Sequence, residues 1–257
     1  LELLKLQNFR LGGRVALVTG AAQGIGLSIT EILALNGARV AMCDVNRATL
    51  LVASSAMRDK AYYVRAYPVD VSKANDVNNA VRKVERDLGT VEILVNNAGI
   101  LRRTPFRNIS QDEWKLVNQT NVDGAFNFCK AVIEGMIERR WGKIINVSSS
   151  AGRSTSTFGG AHYTTSKAGL LGLTRHLARE VARYGINVNA VCPGSIDTPM
   201  VRTSASRKEI EESVKKIPMG HLGTPEDIAN LVLFLASDAS SYITGASIDI
   251  NAGELMI

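Results

Sequence analysis

"VTGAAQGIGLSI", residues 18–29, runs from small and β-branched apolar residues through three glycines into a helical pattern. Gly20, Gly24 and Gly26 stand where a strand would hand over to a helix. Glycine at such a turn lets the backbone bend sharply and approach a pyrophosphate, whose charge meets amide groups and the positive helix end. The spacing G-x-x-x-G-x-G departs from the general G-x-G-x-x-G fingerprint, and three glycines also suit a plain tight turn. Their placement between strand and helix is what favours a nucleotide site.

Outward from this turn, short runs rich in Val and Ile recur at 14–20, 38–45, 61–70, 91–99, 142–149, 186–194 and 246–251. Most are followed by a helix-length segment, near 24–36, 46–58, 73–87, 110–138, 160–184, 202–217 and 225–236. Ser72 and the pair Thr224-Pro225 serve as start signals for the third and the last of these. Such alternation predicts an α/β fold with a doubly wound parallel sheet covered by helices on both faces. With no repeat and no long linker, the whole chain 1–257 reads as one domain, residues 1–10 forming an N-terminal extension.

Open sheets of this kind bind ligands beyond the carboxyl ends of their strands. The second strand candidate ends at Asp44, 18 residues after Gly26, where a dinucleotide fold places an acid on the adenosine ribose. A carboxylate accepts bonds from both ribose hydroxyls and repels a 2′-phosphate, so Asp44 favours NAD over NADP. The alternative is a turn or cap aspartate, because "DVNRATL" opens a helical pattern. Arg47 could accommodate a phosphate, or belong to a solvated helix face.

"AHYTTSKAG", residues 161–169, sets Tyr163 and Lys167 four residues apart. Just over one helical turn separates them, so phenol and ammonium can enter the same space. Alone, the pair equally suits a surface aromatic covered by a lysine stem.

Composition narrows the classes. The 30 Lys+Arg exceed the 24 Asp+Glu by six, but they are scattered among acids with only short doublets such as Arg139–Arg140, so no nucleic-acid partner is expected. No apolar run approaches the roughly 18 residues of a membrane span. Cys43, Cys129 and Cys192 are widely separated and lack metal-ligand spacing, which predicts buried thiols, no metal and a cytoplasmic setting.

"TGAAQGIG" (19–26), "NNAG" (96–99), "NVSSSAG" (146–152), "YTTSK" (163–167) and "PGSIDT" (193–198) follow in an order and at separations that resemble the short-chain dehydrogenase/reductase family. The resemblance runs from about Leu11 to Gly253. It implies a single Rossmann-type domain with seven parallel strands, a nicotinamide dinucleotide and reversible carbinol–carbonyl oxidoreduction. Tyr163 is then the implied catalytic acid/base and Lys167 its electrostatic partner, bringing a phenol with an ordinary pKa of about 10 nearer the working range. Alignment on Asn146 and Gly152 selects Ser149 to hold the substrate oxygen, with Ser150 as runner-up, and Asn121 matches the family's proton-relay asparagine. Cofactor contacts are implied for Gly20, Gln23, Gly24, Ile25, Gly26, Asp44, Asp70, Val71, Asn97, Ala98, Gly99, Tyr163, Lys167, Pro193, Gly194, Ile196 and Thr198. "INAGEL" (250–255) departs from the usual Asp-Gly-Gly.

The expected activity is hydride transfer between NAD(H) and a secondary alcohol or ketone, a small polar polyol, sugar or sugar acid. "NNAGILRRTPF" (96–106) resembles the same stretch of gluconate 5-dehydrogenases, so Arg102 or Arg103 could hold a polyhydroxylated or anionic substrate, at least one of them otherwise facing solvent or pairing with an acid across a subunit contact. The alternative substrate is a 3-oxoacyl thioester, and the alternative of another class is a noncatalytic dinucleotide sensor. Segment 201–217, with Ile210, Val214 and Ile217 on one stripe, is expected as a mobile substrate lid. The family usually assembles as homotetramers, and Phe126, Phe128, Leu170, Leu173 and Leu177 offer apolar surface for that.

Overall fold

Three of the apolar runs become strands buried at every position: β1 (Val15–Thr19), β4 (Ile93–Asn96) and β5 (Gly142–Val147). A strand achieves this only when both faces of its sheet are covered. The computed structural model, which describes residues 9–257, supplies that cover. Strands β2 (Arg39–Asp44), β3 (Val64–Pro68), β6 (Ile186–Pro193) and β7 (Ser247–Ile250) complete a seven-stranded sheet in the order β3-β2-β1-β4-β5-β6-β7. Every neighbouring pair is parallel, so the single-domain doubly wound Rossmann fold expected from the sequence is present. The part of the expected N-terminal extension at 1–8 lies outside the described residues.

Alternation along β1 divides the core. Ala16 and Val18 join Ile29 and Leu33 of α1 (Gly24–Leu35) and Ile228 and Val232 of α9 (Pro225–Ala236) on one face. Val15 and Leu17 point the other way, toward Val77 and Val81 of α3 (Ala74–Leu88), Phe128 and Val132 of α5 (Gly124–Arg139) and Ala178 of α6 (Ala161–Val181). Phe128 and Leu170 are therefore core residues and not the assembly surface expected of them, whereas Phe126 is exposed.

Helix α2 (Arg47–Asp59) starts where expected, capped by Asn46, and Thr224 and Asp227 form a reciprocal capping box at the start of α9. Elsewhere the expected helices change. The segment 110–138 is α4 (Gln111–Asn118), a wide-turn π segment over Gln119–Asp123, and then α5. The segment 202–217 is α7 (Pro199–Ser204) and α8 (Arg207–Val214), parted by an extended Ala205. Ser206 and Glu209 form a second capping box that starts α8 afresh, which is why one continuous stripe does not form. Ser72 is no cap: α3 begins after Lys73, and the Ser72 hydroxyl donates to Asp70 instead. No helix among the described residues is long and apolar enough to cross a membrane.

Candidate active site

The sheet order reverses between β1 and β4, and the loops leaving their carboxyl ends diverge into a cavity of about 530 Å³. Gly20 takes φ +64°, and an added Cβ there would sit 2.9 Å from the Ala98 Cα. The Asn97 side chain donates to the carbonyls of Thr19 and Gly20, while the Thr19 hydroxyl accepts from the amides of Asn97 and Ala98. The two loops at the switch point are thus bonded into one unit. Gly26 does not line the cavity, contrary to its expected cofactor contact. Its Cβ would fall 2.1 Å from the Gly20 oxygen, so its role is the close approach of α1 to the turn.

One end of the cavity is walled by Gly20, Gln23, Gly24, Ile25, Asp44, Asp70, Val71, Asn97, Ala98 and Gly99. Asp44 faces it while accepting from the amides of Ala22 at 3.1 Å and Asn46 at 2.9 Å, so its turn bonds do not withdraw the carboxylate from the cavity. Arg47 is exposed on the first turn of α2. Burial opposes ionisation of Asp70, but bonds from Ser72 and the nearby Lys73 prevail and hold its carboxyl below the usual range. This donor set fits a dinucleotide: open helix-start amides for phosphate and a carboxylate for ribose hydroxyls.

The other end is built by β5 and α6. Tyr163 and Lys167 are both buried on one face of α6, with the ammonium 5.7 Å from the ring centre. Lys167 donates to the Val147 carbonyl at 2.8 Å, and burial pushes its pKa down to about 8. Burial pushes the Tyr163 phenol up, against a hydrogen bond with Ser149 that pulls it down. Burial is the larger of the two causes, so in the protein alone the phenol stands above its ordinary value. Ser149, and not Ser150, is the phenol's partner; it also accepts from the Ala151 amide and caps the short turn over Ser150–Gly152. Ser148 donates to the Lys167 carbonyl, anchoring α6 to the end of β5.

Asn121 sits in the π segment behind the cavity wall. Its amide spans the Ile100 carbonyl and the Ser166 hydroxyl while its oxygen accepts from the Ile100 amide at 2.8 Å. A Cβ on Gly99 would lie 3.3 Å from the Asn121 oxygen and 3.4 Å from the Lys167 nitrogen, so both groups flank one glycine. Pro193 at the end of β6, with Gly194, Ile196 and Thr198 beyond it, closes the cavity, and Thr198 also caps α7.

The two arginines part company. Arg102 lines the cavity and donates to its neighbour's carbonyl. Arg103 turns away to Glu209 of α8 at 2.7 Å and the Ser204 carbonyl, so its acid lies within the chain and not across a subunit contact. Two further groups carry no sequence signal of their own. Fully buried His162 accepts from the Tyr163 amide through Nδ1, which leaves Nε2 to donate to Glu113 at 2.7 Å. Glu254, in the departing "INAGEL" stretch, lines the cavity bonded to Ser195 and Thr157.

A nucleotide cradle joined to Ser149 and the buried Tyr163–Lys167 pair defines an oxidoreductase of alcohols and ketones. The family profile described as Enoyl-(Acyl carrier protein) reductase matches residues 20–254. Acetoacetyl-CoA reductase of Shinella zoogloeoides is 41% identical, over 95% of this chain and 99% of that protein. Among solved structures, a 3-oxoacyl-[acyl-carrier protein] reductase from Brucella melitensis with bound NAD superposes with TM-score 0.89 at 33% identity, covering 98% of this chain and 95% of that one. A gluconate 5-dehydrogenase from Burkholderia cenocepacia in complex with NADP and tartrate gives 0.91 at 33%, covering 97% and 98%. The chain belongs to the short-chain dehydrogenase/reductase family and is an enzyme, not a noncatalytic sensor.

Proposed function

We propose that the protein moves hydride between NAD(H) and a secondary alcohol or ketone on a small polar compound, a polyol, sugar or sugar acid. The observation that carries this is the joint lining of one cavity by Asp44, Ser149, Tyr163, Lys167 and Arg102. When bound, the nicotinamide accepts hydride from the carbinol carbon or returns it to the carbonyl carbon. In oxidation Ser149 holds the substrate oxygen and the Tyr163 phenolate takes the hydroxyl proton. In reduction Tyr163 returns that proton to the carbonyl oxygen. Lys167 stabilises the phenolate, and Asn121 fixes the loop against which Lys167 packs and takes part in the proton relay. Asp44 bonds the adenosine ribose and repels a 2′-phosphate, which is the basis of the NAD preference. Gly20, Gln23, Gly24, Ile25, Asp70, Val71, Asn97, Ala98, Gly99, Pro193, Gly194, Ile196 and Thr198 hold the rest of the dinucleotide.

Segment 201–217 acts as a lid carried on α7 and α8, and the chain works as a cytoplasmic homotetramer joined through α5 and α6, where Phe126 is exposed and Leu173 and Leu177 are half-buried. Light scattering at micromolar concentration checks the assembly, a monomer counting against it. A 3-oxoacyl-thioester reductase is the second reading, favoured by the 41% identity to an acetoacetyl-CoA reductase. The deciding assay is a panel of polyols, sugar acids, acetoacetyl-CoA and plain alcohols with NAD(H) and NADP(H). Preferred turnover of acetoacetyl-CoA establishes the second reading, and equal efficiency with both cofactors removes the role given to Asp44.

A further inference from the structure

Glu254 places a carboxylate in the substrate end of the cavity. Its Oε2 accepts from the Ser195 amide at 2.9 Å, and its Oε1 accepts from the Ser195 hydroxyl at 3.1 Å and, weakly, from Thr157 at 3.4 Å. A Cβ at position 194 would lie 2.6 Å from Oε2, so the glycine there is what makes room for the acid. The arginines of salt bridges near this end pair with other acids, Arg103 with Glu209, Arg153 with Asp249 and Arg202 with Asp197, and no salt bridge among the described residues reaches Glu254. The side chain therefore lines the cavity without a cationic partner, with acceptor capacity on Oε2 beyond the one amide it bonds. Ser150, Ser156 and Thr157 line the same end, so donors and acceptors for hydroxyl groups surround it. Arg102, the positive side chain of this wall, is exposed, and its charge also acts on Glu113.

Resting on the alcohol–ketone reading above, we infer that Glu254 is a specificity-determining residue that selects neutral polyhydroxylated substrates, polyols and the matching ketoses, by accepting a hydrogen bond from a substrate hydroxyl. A carboxylate facing the substrate repels the carboxylate of a sugar acid, so the same group that favours polyols rejects acids. The acyl chain of a thioester offers no hydroxyl donor and leaves the free acceptor capacity of Oε2 unmet.

The test measures kcat/KM for NAD-dependent oxidation of C5 and C6 alditols and of the corresponding aldonates, and for reduction of acetoacetyl-CoA, in wild type, Glu254→Gln and Glu254→Ala. Wild type is expected to favour its best alditol over the aldonate by about tenfold or more, and Glu254→Gln to narrow that ratio about tenfold, mainly through KM. A purely structural strap lowers all substrates alike and leaves the ratio unchanged, which overturns the inference. So does wild type preferring aldonates or acetoacetyl-CoA, a result that needs no folded variant. Turnover of none of the panel by wild type fails the alcohol–ketone reading itself and the inference with it.

Discussion

Replacing Tyr163 by Phe removes the hydroxyl proposed to pass the proton while keeping the ring that packs beside Lys167. Turnover should fall by about a thousandfold or more, and dinucleotide affinity, read by fluorescence titration, should stay within about twofold. Substantial residual activity would relieve Tyr163 of its role. At this scale much of the site was legible, because Asp44, Ser149, Tyr163 and Lys167 lie at fixed offsets from glycine turns and strand ends. At Gly26 spacing marks a glycine but does not say whether the missing Cβ makes room for ligand or for backbone. Glu254 and His162 escaped because their partners, Ser195 and Glu113, lie 59 and 49 residues away in sequence, and no local pattern encodes such pairings.

Elements met at the switch point test the packing directly. Gly26→Ala would drive a methyl into the Gly20 carbonyl, a backbone atom that cannot swing aside. A loss of about 3 kcal/mol or more in denaturant unfolding is expected, and a loss below about 0.5 kcal/mol would mean that α1 shifts freely. The second test concerns α7 and α8, short helices tied to the cavity rim through Arg103 and Glu209. Their amides should exchange faster than those of α9 without ligand and slow when dinucleotide and substrate are added; slow exchange in both states would mark a fixed helix pair. Strand limits were legible because β-branched runs end at turn residues. The break at Ala205 was not taken from the sequence, although Ser206 and Glu209 spell a capping box, because the apolar stripe through Ile210, Val214 and Ile217 suggested continuity. The π segment had no such cue, since one widened turn leaves the apolar pattern nearly in phase.

Across the whole molecule, burial sets how stability responds to pH. Lys143 on β5 is buried with its ammonium 2.8 Å from the Asn187 oxygen, and desolvation lowers its pKa to about 8. Between that value and the ordinary lysine range the unfolded chain holds a proton the folded chain releases, so this group's contribution to stability rises with pH through the window and is least below pH 8. Lys143→Met should therefore be more stable than wild type at pH 7, by about 1 kcal/mol after solvent screening, and the gain should shrink toward pH 10.5 in thermal melts. The difference between the two proteins isolates this group from the buried thiols, which act in the opposite direction. A gain that is constant with pH would place the effect in packing.

Those thiols have a use beyond the protein's own chemistry. Cys43 lies in β2, Cys129 in α5 and Cys192 at the carboxyl end of β6; all three are free and buried, and desolvation raises the last two to about 12 and about 11. Only a thiolate reached by reagent reacts, so each must wait for the packing around it to open. Timed alkylation followed by mass spectrometry then turns the three sulfurs into clocks, and the order in which they stop reports whether the packing at β2, at α5 or at the end of β6 opens first.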